Sequence, residues 1–94
     1  MAKTGMDLIK AERIRQVQEE GWTREHDAGQ NWEEIGKAGA AYALSAGAYR
    51  DIAVALWPWQ AHYWKPKNPL RDLVRAGALI AAAIDRYLED ELAS

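Results

Sequence analysis

NPLRDLVRAGALIAAAIDRYLED, residues 68–90, is the stretch on which the fold turns. Asn68 has the side chain of an N-cap, and Pro69 has the fixed φ and missing N–H that suit a first helical turn, so a helix is expected from here to about residue 90. Leu70, Leu73, Val74, Gly77, Ile80, Ala81, Ile84 and Leu88 recur at helical intervals and make its expected buried stripe. Glu89, Asp90 and Glu91 set negative charge against the negative end of the macrodipole. Fraying is expected there. The apolar run AGALIAAAI ends at Asp85 and is too short to span a bilayer.

Upstream, WPWQAHYWKPKNPLR (57–71) concentrates Trp57, Trp59, Trp64, Tyr63 and His62 before Lys65, Lys67 and Arg71. Prolines at 58, 66 and 69 exclude a regular element, so this is a partly stiff loop. The tryptophans have two explanations. They fold back as core volume for an alanine-rich bundle, or they stack on a nucleobase while Lys65, Lys67 and Arg71 neutralise its phosphates. The start of the last helix adds free N–H groups near the same place, and Arg71 and Arg75, one turn apart, can face a common anion. An ion pair with Asp72 is the alternative for Arg75. His62 beside Tyr63 is a proton donor, a ring stacker or simply exposed.

Residues 47–56 are helical or extended, with helix favoured. Before them, Asn31 caps a helix with Glu34 at the N3 position of a capping box, and Ile35, Gly39, Tyr42 and Ala46 lie on one side. Gly36 and Gly39 each lower the propensity of an isolated helix by about 1 kcal/mol relative to alanine, which makes sense where another backbone packs closely. A first helix is expected over 7–20, N-capped by Asp7, with Leu8, Ala11, Ile14 and Val17 inward and Gly21 at its end. Residues 21–31 form a loop carrying Trp22, Glu25, His26 and Asp27. The last three either bind a metal or exchange protons, or they fix the loop by hydrogen bonds.

Composition bounds the rest. Ninety-four residues make one small domain near the lower limit for a lone core, so self-association is expected. A net charge of −2 argues against a general nucleic-acid binder, and no DNA partner is expected. With no cysteine there is no disulfide framework, thiolate zinc site or cysteine nucleophile. MAKTGMDLIK lacks a signal-peptide apolar run, so a cytoplasmic protein without membrane partners is expected. No phosphate-binding glycine loop, Ser/His/Asp arrangement or His-x-x-x-His pair occurs.

Taken in order, AERIRQVQEEGWTREHD, WEEIGKAGAAYAL and WPWQAHYWKPKNPLRDLVRAGALIAAAIDRYL resemble a family of small proteins encoded by tailed phages and prophages, over residues 11–88. More remotely the layout resembles the MazG-like all-α nucleoside triphosphate pyrophosphohydrolases. That resemblance implies ExxE and ExxD motifs whose four carboxylates hold Mg²⁺ against a triphosphate. Glu33, Glu34 and Asp72 match acidic positions. Lys37 and Arg75 stand where further acids are wanted, changing the local charge by about four units and repelling a divalent ion.

The expected architecture is a MazG-like bundle of three to four helices completed by oligomerisation, at least a dimer. The expected function is binding of a linear or cyclic nucleotide without hydrolysis, as a phage sponge for a host defence signalling nucleotide and with no cofactor. Trp22, Glu25, His26, Asp27, Lys37, Trp57, Trp59, Trp64, Lys65, Lys67, Arg71 and Arg75 would line the site. Two alternatives stand beside it: a Mg²⁺-dependent pyrophosphohydrolase using Glu33, Glu34, Asp72 and a nonstandard fourth ligand, and an interaction protein that presses its tryptophan loop onto a host protein.

Overall fold

The computed structural model describes residues 3–19 and 31–93, and these form an all-α bundle. Helix α1 spans Gly5–Glu19, α2 Trp32–Ser45, α3 Arg50–Leu56 and α4 Pro69–Ala93, with a single 3₁₀ turn at Ala61–Tyr63. Helix α4 is the spine. Helices α1 and α2 each pack against it, and the short α3 packs on α2 through Ala53.

The caps follow from side-chain chemistry. Asn31 Oδ1 accepts from the Glu34 N–H at 2.8 Å, and Asn68 Oδ1 accepts from the Arg71 N–H at 2.9 Å, so both asparagines cap as their positions suggest. At α1 the cap is Thr4 rather than Asp7. Thr4 Oγ1 accepts from the Asp7 N–H, and Asp7 Oδ2 accepts from the Thr4 N–H, a reciprocal box that starts the helix before residue 7. The segment 47–56 resolves as helix over Arg50–Leu56. Helix α4 continues to Ala93 despite its acidic end, with Arg86 paired to Asp90 at 3.3 Å.

Two expected stripes are corrected. In α1 the buried residues are Glu12 and Gln16, whereas Ala11, Ile14 and Val17 are exposed. A strict three-residue spacing loses about 60° per step on a helix of 3.6 residues per turn, so the row from Leu8 to Val17 winds halfway round the cylinder. In α4 the interior takes Val74, Ala76, Ala78, Leu79, Ala82 and Ala83, and leaves Leu70, Leu73, Ile80, Ile84 and Leu88 exposed. Small residues occupy the seam because the helix backbones approach closely, which turns the larger side chains outward.

Gly39 marks that approach. A methyl placed on it would lie 3.2 Å from the Ala76 carbonyl oxygen and 3.0 Å from Ile80 Cγ1. One turn earlier, at Gly36, the nearest atom would be Ala83 Cβ at 3.9 Å. Gly39→Ala is therefore expected to destabilise by about 1–3 kcal/mol through overpacking, while Gly36→Ala gains about 0.5–1 kcal/mol from lost unfolded-state freedom. Urea unfolding of the two variants checks the opposite signs.

The core joins Ile35, Ala38 and Tyr42 of α2 to Ala76, Leu79, Ala82 and Ala83 of α4. Trp57, Trp59 and Trp64 pack against this cluster as partly buried rings and supply the volume that alanine lacks. Among the described residues no helix is long and apolar enough to cross a membrane.

Candidate functional site

The aromatic loop is clamped from beneath. Arg75, buried on α4, donates through Nη1 to the Lys65 carbonyl at 2.8 Å and to the Tyr42 hydroxyl at 3.3 Å, with its guanidinium carbon 5.5 Å from the Tyr42 ring centroid. The same hydroxyl accepts from the Lys65 N–H at 3.1 Å. Asp72, almost wholly buried, accepts from the Lys67 N–H through Oδ1 at 2.9 Å. Two side chains from α4 and one from α2 thus hold the backbone at 65 and 67, while the Lys65 and Lys67 side chains remain exposed.

The rings form a second layer. Trp57 meets Tyr42 edge-on at 5.4 Å, Trp59 edge-on at 5.3 Å and Trp64 tilted at 4.9 Å, and its indole N–H donates to the Gln60 carbonyl. Tyr42 and Trp64 are 4.8 Å apart. These indoles are occupied with one another and with the core. Within this loop the exposed rings are His62 and Tyr63, tilted by 39° with centroids 4.0 Å apart in the 3₁₀ turn. Local spacing alone leaves the role of His62 open, because exposure depends on which face the turn presents.

A third group ties α1 to α4. Glu12 Oε1 accepts from Arg71 Nη2 at 2.7 Å, Oε2 accepts from Arg15 Nη2 at 2.7 Å, and Gln16 Nε2 donates to Oε2 at 3.3 Å. Burial pushes the Glu12 carboxyl up, but the hydrogen bonds and charges of Arg15 and Arg71 outweigh this and hold it down at about 2. Glu12 was invisible to sequence reasoning, since its partner Arg71 lies 59 residues away.

The remaining expected site residues divide. Trp22, Glu25, His26 and Asp27 lie outside the described residues. Lys37 is exposed on α2, about 140° around that helix from Tyr42, whereas Arg75 is buried against Tyr42, so the expected pairing of Lys37 with Arg75 on one anion is not formed. Arg71 is half-buried and already bonded to Glu12. The first N–H groups of α4 are also less available than its sequence implied, since Asn68 takes that of Arg71.

Glu33 is exposed and Glu34 half-buried at the start of α2, and Asp72 is committed to the Lys67 amide. Among the described residues no three carboxylate or histidine side chains are grouped as a metal site would need. What the arrangement offers is a loop whose backbone is held at residues 65 and 67, with two exposed lysines and an exposed ring pair within six positions of sequence. No protein family, curated protein or solved structure matches this chain, and its function is therefore read from this geometry.

Proposed function

We propose that this protein is a nucleotide receptor that holds its ligand without cleaving it and, in the phage setting that the sequence resemblance implies, acts as a sponge for a host signalling nucleotide. The observation that supports it is the clamped loop. Arg75, Tyr42 and Asp72 fix residues 65–67 before any ligand arrives, so the side chains of Lys65 and Lys67 meet an anion with little further loss of backbone freedom. His62 and Tyr63, a few positions earlier in the same loop, form an exposed ring pair. A base stacked on such a pair gains about 1–3 kcal/mol, and its phosphates then fall next to the cations. Ground-state binding with no activated water gives affinity without turnover.

The test is a thermal-shift screen of linear and cyclic nucleotides, with chromatography of the recovered ligand. At a hundredfold excess over Kd, a true ligand is expected to stabilise the fold by about 3 kcal/mol and to be recovered intact. Tyr63→Ala and Lys67→Ala should weaken binding without lowering the melting temperature. Mg²⁺-dependent release of pyrophosphate would transfer the proposal to the hydrolase reading. A flat response across the panel would leave the exposed loop as a protein-contact surface.

A further inference from the structure

Helix α4 has two apolar sides, and the described chain covers one. The inner side is the alanine seam with α2 and the face beneath α1. The outer side carries Leu73, Ile80, Ile84 and Tyr87, each about half exposed, with Leu70 and Leu88 at its margin. Positions 73, 80 and 87 are seven residues apart with 84 between them, the spacing of a seam along a neighbouring helix. At the intervening position Gly77 the apolar side chain of Ile9 from α1 lies over α4, where a methyl would be 2.5 Å from its Cδ1, so the open part of the stripe is its Ile80–Leu88 half together with Leu73. At about 100° per residue, Asp85 and Arg86 lie on other faces, so no charge interrupts this stripe from Leu73 to Leu88.

Helix α2 widens the stripe. Its Gly39 lies against Ile80, and its Trp32 meets Tyr87 edge-on at 5.3 Å. Trp32, Gly36, Ala40 and Ala43 fall within a sector of about 80° on α2, on the flank that continues the α4 stripe. Ala40 and Ala43 are exposed. The joint surface is thus a ridge of large side chains next to a lane of small ones.

We infer that this surface is covered by a second copy of the same chain, with two α2/α4 pairs closing a four-helix layer about a two-fold axis. Such an axis seats the Ile80–Ile84 ridge of one copy on the Ala40–Ala43 lane of the other, because an isologous contact needs one surface that complements itself. The absence of charge along the stripe gives a polar or oppositely charged partner nothing to pair with. The area also suffices. With about 150–200 Å² for a large apolar residue, Trp32, Leu70, Leu73, Ile80, Ile84, Tyr87 and Leu88 together expose on the order of 600 Å² per copy, close to half of a stable two-body interface.

Sedimentation equilibrium of the full-length chain tests this directly. The wild type is expected at twice the 10.6 kDa chain mass, and Ile84→Glu or Ala40→Glu at the chain mass with helical circular dichroism retained. Ala40 is the second site because it adds charge to the lane without removing any packed side chain. A wild type that sediments at 10.6 kDa overturns the proposal and assigns the stripe to a stretch of its own chain or to another protein. An assembly whose mass neither substitution lowers overturns it too.

Discussion

Glu12→Ala is expected to lower the unfolding free energy by about 3 kcal/mol, toward the lower end of what breaking a buried ion pair removes, because Arg15 and Arg71 both keep some solvent contact. The loss should depend on pH in a defined direction. The carboxyl is held at about 2 in the folded chain, below its ordinary value of 4.5, so the native state gains from its ionisation. That gain is complete above pH 4.5 and disappears as the pH falls through 2. A shift of this size corresponds to on the order of 3 kcal/mol. Urea unfolding of wild type and variant should therefore differ fully at neutral pH and converge on acidification toward pH 2. If the two proteins show parallel acid slopes, the ionised Glu12 is not what fastens α1 to α4.

Trp57→Ala is expected to destabilise by about 3 kcal/mol, as for truncation of a core aromatic that retains partial solvent contact. Its indole is the ring that touches Tyr42, Trp59 and Trp64 together, so removal loosens the whole aromatic layer as well as leaving a void. Tyr63→Ala is the contrasting case. Its ring is exposed beyond the clamp, and stability should change by no more than about 0.5 kcal/mol. Denaturant curves for the pair separate the indoles that build the platform from the ring that would meet a ligand. A Trp57→Ala variant as stable as wild type would return that indole to the list of contact residues.

How much of this was legible in the sequence depended on range. Asn31, Asn68 and Pro69 announced helix starts because capping is a local contest between a side chain and the next turn's amides. The helical content and the irregular aromatic loop followed from periodicity and proline placement. The burial stripes did not. Leu79 is fully buried and Ile84 is 54% exposed, although both are large and apolar, because the tight seam at Gly39 decides which side of α4 faces inward. The site divided along the same line. Lys65 and Lys67 belong to the exposed loop as expected, since alternation there is local. Arg75 reads as an anion ligand by composition, yet its guanidinium meets Tyr42, 33 residues distant, and a backbone carbonyl. Lys37 and Arg75 looked adjacent only by analogy with a motif, and helical phase separates them.

The Tyr42 hydroxyl receives the Lys65 amide and the Arg75 guanidinium at one oxygen. Three distant parts of the chain are thereby pinned at a point, with the phenol acting as the pivot. Any push on the Lys65–Lys67 segment has to be relayed into the crossing of α2 and α4, and any slip at that crossing must re-aim the two lysines. The loop is in this way tied mechanically to the scaffold at a single phenolic oxygen.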